Sequence, residues 1–327
     1  MGYSAVLDSS ILVKGQPATA GSKMLESFIA PFDATVVERL CAADVDIVGK
    51  CETGEFGVGG LFQECEEAGR ALIDIADGKV DFALCNDYTG LIAKVASTQG
   101  LFYIHPAYGS VSRYGLIQSV CSMDQIGVLC KELDVGFEIL SIITEISAES
   151  TVIKNTFLFS AQAESNIQNT DTEPRIHETK KHPLIQRLNN QPCIHEITNY
   201  PYLQVMQVLC SAELSNNVSR YDGIKFGYRA EGYNNLKELY TRSRTEGFGV
   251  DVKLALMIGA MVLYQGEGER VYDKAMKVRR LIRDSFDFGE SGVVKVDDPM
   301  VSRLCGFMAV TMPEGTFVSN VGCDDLK

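Results

Sequence analysis

Apolar runs of strand length alternate with helix-like segments through the first half of the chain. The runs lie at residues 5–7, 46–49, 80–84 and 101–104. Between them, residues 35–43 and 65–76 place apolar side chains at helical spacing, and Asp33 is the predicted cap of the first helix. Strands and helices in this alternation predict an α/β domain in which helices cover a sheet.

Further helices are predicted along the rest of the chain. Residues 124–143 carry apolar side chains at positions that suit one long helix. The second half predicts helices at residues 236–244, 250–264 and 272–286, and a last strand at 307–312. Residues 155–200 are polar and are predicted to form a loop or linker within a single domain that spans residues 1–327.

Composition and charge narrow the class of protein. The chain has 327 residues, of which 46% are hydrophobic, and a net charge of −13. That charge argues against direct nucleic-acid binding, because phosphates would be repelled. No apolar run reaches the roughly 20 residues of a membrane span, and the first residues do not resemble a secretory leader. A cytoplasmic location is expected, with ten scattered cysteines as free thiols.

Two weak motifs bear on metal or phosphate binding. His177 and His182 are five residues apart rather than four, with Cys193 and His195 nearby. We interpret this segment as a solvated loop, with a zinc site as the alternative. The glycines at residues 57–60 lack the Lys-Ser/Thr of a phosphate loop and predict a turn. No metal ion or cofactor is therefore expected.

Four co-linear segments carry a family resemblance. They are TAGSKMLESF from residue 19, YGSVSRYGLI from residue 108, SRYDGIKFGYR from residue 219 and RTEGFG from residue 244. They resemble the amidase-signature family, and in particular the A subunits of glutamyl-tRNA amidotransferases. The resemblance runs from about residue 2 to residue 315. It omits residues 155–200 and the family's N-terminal helical region, so we expect a domain truncated at its N-terminus and shortened internally.

The resemblance implies a fold and a chemistry. The fold is an α/β/α sandwich around a large mixed sheet. Family members hydrolyse amides with a nucleophilic serine, a second serine after a cis peptide bond, and a lysine that works with it as a proton relay. Backbone N–H groups before the nucleophile hold the oxyanion.

The family's catalytic positions fall here on residues of other chemistry. The lysine position, seven residues before Gly15, is Asp8. The second serine falls on Glu67, or on Ala68 if the match shifts by one residue, and the nucleophile falls on Leu91. Because a hydrocarbon cannot attack an amide and acids cannot replace an amine and a hydroxyl, we expect no family catalysis.

The substrate pocket of the family is also expected to be lost. Where the resemblance implies an arginine pair that clamps the glutamine carboxylate, this chain has Leu254 and Ala255. The aromatic pair expected before residue 212 falls on Met206 and Gln207.

The main hypothesis is a non-catalytic amidase-like protein that serves as a scaffold or binding subunit. It would pair with proteins akin to the B and C subunits of the amidotransferase, or with a second copy of itself. One alternative is altered chemistry in the same cleft, with Cys85 or an Asp8–Glu67 carboxylate pair. The other is a shortened A subunit that still supports glutamine hydrolysis for transamidation of Glu-tRNA(Gln).

Overall fold

A mixed sheet of nine strands forms the centre of the computed structural model, which describes residues 2–52, 54–63, 74–144, 193–194, 200–264, 266–288 and 292–319. Among these residues the strands are β1 (Ser4–Asp8), β2 (Asp46–Cys51), β3 (Phe82–Asn86), β4 (Phe102–His105), β5 (Ile126–Cys130), β6 (Cys193–Ile194), β7 (Val293–Val296), β8 (Met308–Met312) and β9 (Gly315–Ser319). Their order across the sheet is β2-β1-β3-β5-β4-β8-β9-β7-β6. Strand β1 is parallel to both of its neighbours, β2 and β3. The pairs β3–β5, β5–β4, β4–β8, β8–β9 and β9–β7 are antiparallel.

Helices cover both faces of this sheet. In the described residues they are α1 (Thr35–Ala42), α2 (Leu91–Thr98), α3 (Leu133–Ile143), α4 (Tyr202–Val218), α5 (Leu236–Gly247), α6 (Val250–Val262), α7 (Glu267–Asp284) and α8 (Met300–Cys305). Short 3₁₀ turns at Lys23–Leu25 and Glu55–Gly57 lie in the loops that follow β1 and β2.

The alternation of side chains along β1 assigns the two layers. Ala5 and Leu7 point into a hydrophobic cluster that also contains the buried faces of α1 and α3. Val6 points to the other side and packs in a cluster with residues of α2. Because successive strand side chains face opposite sides of a sheet, a strand that is apolar throughout requires a helical layer on each face.

The largest cluster lies around α4, which packs closely against α6. At Gly259 of α6, an added Cβ would lie 2.1 Å from the carbonyl oxygen of Ser211, so only glycine permits this approach of the two backbones. Ala255 of α6 and Leu209 of α4 are both fully buried in this cluster.

The predicted α/β class with a large mixed sheet is confirmed, but the single helix over residues 124–143 is wrong. Strand β5 occupies the first part of that segment and α3 the last part. All five residues of β5 are buried, so the strand has no polar face and its apolar run cannot be distinguished from a helix by periodicity.

Three smaller predictions need correction. Asp33 does not cap α1, because its Oδ1 accepts the backbone N–H of Lys14 at 2.7 Å and Ala34 stands at the N-cap. Strand β2 continues through Lys50 to Cys51. The strand at residues 307–312 is not the last, since β9 follows and pairs with β8 from Met308 to Met312.

Two predictions fall largely outside the described residues. Most of the helix at residues 65–76 and nearly all of the polar segment 155–200 lie there; of the latter, the structure describes β6 and Tyr200. Within the described part of the chain, no helix combines the length and apolarity that a bilayer crossing requires.

Candidate functional site

A small cavity lies where the carboxyl ends of β1 and β3 meet the loop that follows β2. The space, counted with the solvent at its mouth, is about 190 Å³. Its described lining residues are Asp8, Ser10, Ala20, Gly54, Phe56, Gly57, Asn86 and Ser119. Because β1 and β3 are neighbouring parallel strands, their carboxyl ends bring residues 8 and 86 to one edge of the sheet, where α/β folds place their ligands.

Asp8, where the family's lysine is expected from the sequence, is buried at the end of β1. Its Oδ1 accepts the backbone N–H of Ser10 at 2.8 Å, and its Oδ2 accepts that of Asn86 at 3.3 Å. Only 2% of the residue is exposed. The carboxylate therefore links the ends of two strands, which is a structural task that an ionised acid performs well.

A lysine nevertheless stands beside Asp8, contributed by β2. The Nζ of Lys50 donates to the carbonyl oxygens of Pro17 at 2.9 Å and Ser9 at 3.3 Å. Burial lowers the pKa of Lys50 to about 8, and the charge of Asp8 acts in the opposite direction. Sequence reasoning missed Lys50, because only the pairing of Cys51 with Asp8 across β1 and β2 brings it here.

Two serines, Ser9 and Ser10, follow β1 in the chain, and the first of them accepts a hydrogen bond from Lys50 through its carbonyl oxygen. The Oγ atoms of Ser9 and Ser10 are buried and have no hydrogen-bond partner among the described residues. Ser10 lines the cavity. Lys50 is therefore held by the backbone of this turn, and its two hydrogen bonds go to carbonyl oxygens rather than to a serine hydroxyl.

Leu91, where the family's nucleophile is expected from the sequence, begins α2 behind the turn that follows β3. It is 8% exposed. An added Cβ on Gly59 would lie 3.0 Å from its Cδ2, and one on Gly60 would lie 3.3 Å from its Cβ. The leucine side chain therefore fills the space against the loop after β2, and its surroundings are apolar rather than polar.

The turn before Leu91 is held by a buried ion pair. Asp87 accepts the backbone N–H groups of Ile92 at 3.1 Å and Ala93 at 3.0 Å, which satisfies two free donors at the start of α2. The guanidinium of Arg303 in α8 lies 3.2 Å from the same carboxylate, and both side chains are fully buried. Nothing in the sequence indicates this pair, since 216 residues separate its members.

A buried polar network holds the side chain of Asn86, which lines the cavity. The Asn86 side chain donates to Asp124 Oδ1 at 2.9 Å and accepts the backbone N–H of Gln125 at 3.1 Å. The second oxygen of Asp124 accepts the backbone N–H groups of Ser119 and Val120, each at 2.9 Å. Burial raises the pKa of Asp124 while these hydrogen bonds oppose the rise. The network fixes the side chain of Asn86 at the cavity wall.

Cys85 is fully buried within β3. A hydrogen bond with the Cys51 thiol, together with burial, raises the pKa of Cys85 well above its usual value. A reactive cysteine needs an accessible thiolate, and this environment favours the neutral thiol.

Among the described residues, Asp8 is the only position predicted from the family likeness that lines the cavity; Leu91 and Cys85 do not. Leu254 lies on the outer side of α6 and is 39% exposed, whereas Ala255 faces the core and is fully buried. Met206 is buried in α4, and Gln207 donates to the carbonyl oxygen of Leu61 at 2.9 Å. The described lining of the cavity includes none of these four residues.

Several further positions lie outside the described residues. Glu67 and Ala68 are among them, and so are His177, His182 and His195 of the alternative zinc site. The fourth residue of that site, Cys193, lies in β6, where the structure describes only its backbone. In the described part of the chain, no group of three or more His, Cys, Asp or Glu side chains is arranged to hold a metal ion.

Comparison with known sequences identifies relatives over most of the chain. The family profile described as Amidase matches residues 4–65 and 69–288. The A subunit of glutamyl-tRNA(Gln) amidotransferase from Lachnoclostridium phytofermentans is 34% identical over 318 residues, covering 88% of this chain and 64% of that protein. The A subunit from Wolinella succinogenes is 32% identical over 316 residues, covering 88% and 70%. The chain thus spans about two-thirds of the length of these relatives.

Solved structures share the fold at low identity. A structure titled "Crystal structure of amidase" aligns with a TM-score of 0.66 at 16% identity, covering 99% of this chain and 81% of that one. The native peptide amidase of Stenotrophomonas maltophilia aligns with a TM-score of 0.63 at 16% identity, covering 97% and 78%. At these identities the likeness concerns the fold alone.

Proposed function

This chain belongs to the amidase family, and from that premise we propose that it is a non-catalytic member with a binding or scaffold role, similar to the A subunit of a tRNA-dependent amidotransferase. The observation that carries the proposal is the apolar packing of Leu91 where the family's nucleophile is expected. A hydrocarbon has no lone pair to attack a carbonyl carbon.

The surroundings of Leu91 support this proposal more strongly than its identity alone. Its side chain is in close contact with the Gly59–Gly60 backbone, so the volume beside the turn is occupied. A water or amide carbonyl placed there would meet apolar atoms from residues of α2 and β3.

Asp8 supports the same conclusion at the position where the family's lysine is expected. Its carboxylate accepts two backbone N–H groups, which stabilise the ionised form and tie β1 to β3. A carboxyl group cannot supply the amine that the family's lysine contributes to the relay.

The names of the relatives point to a protein partner. Both amidotransferase proteins compared above are named as subunits, so each is one component of an assembly. We propose that this chain likewise binds proteins of the B and C type. The net charge of −13 implies that contact with tRNA would come through such a partner rather than from this chain.

The proposal is tested by ammonia release from glutamine, asparagine and acetamide. We expect the purified protein and its Leu91→Ala variant to match the buffer blank, with a commercial glutaminase as the assay control. Release by the wild-type protein, at a rate that scales with its concentration, would contradict a non-catalytic role. Such release would favour the alternative hypothesis that the chain is a shortened A subunit that still supports glutamine hydrolysis.

One alternative, altered chemistry in the cavity, has a specific observation in its favour. Lys50 has a lowered pKa beside Asp8, and the hydroxyl of Ser10 lines the cavity without a described partner. A neutral lysine amine near pH 8 is a competent general base.

The alternative makes a separate prediction for the same assay. If Lys50 and Ser10 carry a reaction, Lys50→Met and Ser10→Ala should each abolish ammonia release, whereas Leu91→Ala should leave it unchanged. Circular dichroism must show that each variant is folded. Labelling of Cys85 at neutral pH tests the thiol in parallel, and we expect it to react more slowly than free cysteine because it is fully buried.

A further inference from the structure

Helix α6 carries apolar side chains on the side that faces away from the core. Val250, Met257, Met261 and Tyr264, the last just beyond the helix end, are 76%, 66%, 73% and 75% exposed, and Leu254 is 39% exposed. We call these five residues the outer stripe. The opposite side of α6 already packs against the core, because Val252, Ala255, Gly259 and Val262 are buried. A helix that is apolar on all sides is ordinarily covered on all sides.

The spacing of the outer stripe is that of a helix-pairing surface. Its members follow one another at intervals of four, three, four and three residues. This is the repeat with which two helices interdigitate along a shared seam. Scattered apolar residues on a surface need no explanation, but five that line up over four turns do.

We propose that the outer stripe of α6 packs against the same stripe of a second copy of this chain, with the two helices antiparallel about a two-fold axis near Met257. The stripe extends seven residues to either side of this residue, so antiparallel copies match end to end. A two-fold pairing of one surface with itself is the commonest arrangement of homodimers.

The charged residues that border the stripe are compatible with this alignment. Lys253 and Asp251 lie near the start of α6, four and six residues before the axis at Met257. With a rise of about 1.5 Å per residue, the two copies of Lys253 would be about 12 Å apart along the seam. That separation exceeds the Debye length of roughly 8 Å at physiological ionic strength, so like charges interact weakly.

The exposed area of the outer stripe is compatible with a dimer interface. The exposed fractions of the five residues correspond to roughly 700 Å² per molecule, so a symmetric pair would remove at most roughly 1,400 Å² from water, within the range of specific interfaces. A membrane is a poorer occupant, because the stripe is bordered by one lysine and one aspartate rather than by a basic face. This inference does not rest on the proposed function, since it uses none of the residues at the cavity.

Sedimentation velocity between 1 and 100 µM tests the proposal. We expect wild-type protein to approach twice the 35.9 kDa chain mass, and Met257→Glu combined with Met261→Glu to raise the dissociation constant at least 30-fold. Leu281→Glu on α7, a position 55% exposed, is the matched control and should dimerise like wild type. Circular dichroism and thermal unfolding must show that the variants are folded. A monomeric wild type at 100 µM, or a dimer that survives the double substitution, overturns the proposal.

Single cysteines test the geometry. Under mild oxidation, Met257→Cys should form a cross-linked dimer because two copies of residue 257 meet at the axis, whereas Val250→Cys alone should not. The wild-type protein, oxidised in the same way, measures the cross-linking that its own cysteines cause. Cross-linking by Val250→Cys but not by Met257→Cys overturns the antiparallel pairing. Because each copy carries a net charge of −13, added salt should strengthen dimerisation, and the opposite trend contradicts an apolar interface.

Discussion

Arg303 and Asp87 show at the residue scale how the frame around position 91 is maintained. The pair is fully buried, and the carboxylate also holds the first amides of α2. The guanidinium in turn donates to the carbonyl oxygens of Asp87 and Pro299. A buried charge is tolerated only when it is paired and hydrogen-bonded, and every part of this arrangement depends on the others.

Asp87→Asn should therefore lower the free energy of unfolding by about 3 kcal/mol, because it leaves the Arg303 charge buried without its counter-ion. Urea denaturation measures the change. The exposed pair Arg280–Asp284 is the control, and Asp284→Asn should cost less than about 0.5 kcal/mol. Equal costs at the two sites would show that burial does not govern the strength of the first pair.

Lys50 should titrate with a midpoint near pH 8 in the folded protein. The folded pKa lies below the ordinary 10.5, so the unfolded chain binds more protons between those values, and stability should rise with pH across that window. NMR titration of ¹⁵N-labelled lysine side chains measures the midpoint, with Lys50→Met to assign the signal. Asp8→Asn should lower the titration midpoint of Lys50 further, because the negative charge of Asp8 opposes deprotonation of the lysine. A midpoint near 10.5 would show that the amine is solvated.

At the scale of elements, the turn between β3 and α2 is held by its backbone geometry, and its apolar residue Leu91 has no chemical role in the proposed function. Gly90 has a φ of 82°, a left-handed conformation that glycine adopts without strain. An added Cβ there would lie 3.0 Å from the backbone nitrogen of Met300. The turn is therefore constrained both by its own backbone and by the start of α8.

Gly90→Ala should destabilise the protein by about 2 kcal/mol or more, from the left-handed backbone together with the crowding at Met300. Gly78 is the matched control, because its φ is 69° and an added Cβ would meet nothing within 4 Å. Gly78→Ala should cost about 1 kcal/mol from the backbone alone. Thermal or urea unfolding distinguishes the two, and a smaller loss at residue 90 than at residue 78 would contradict the role of the contact.

At the scale of the whole molecule, charge decides which partners the chain meets directly. A net charge of −13 on 327 residues repels polyanions at long range, and the repulsion is strongest at low salt. The exposed apolar side chains of α6 provide a different kind of surface, one suited to protein contact.

The isolated protein should show no tRNA binding in a mobility-shift assay at micromolar concentration in 0.15 M salt. Lowering the salt should not produce binding, whereas a protein with a local basic patch would gain affinity as salt falls. Binding that strengthens at low salt would show that such a patch exists in spite of the net charge.

The sequence alone determined the class of the fold and the chemical identity of single positions. Apolar runs alternating with helical segments predicted helices over a sheet, and the leucine at position 91 excludes a nucleophile there whatever its surroundings. These conclusions follow from local periodicity and from the side chain itself, so no knowledge of distant residues is needed.

Only the tertiary structure decided which residues meet and which surface remains open. Lys50 stands beside Asp8 because β2 pairs with β1, and Arg303 reaches Asp87 across 216 residues of chain. The sequence of strand β5 predicts a helix because burial on both faces removes the period of two. The sequence of α6 is apolar around most of its circumference, so only the packing against α4 shows which side is left exposed.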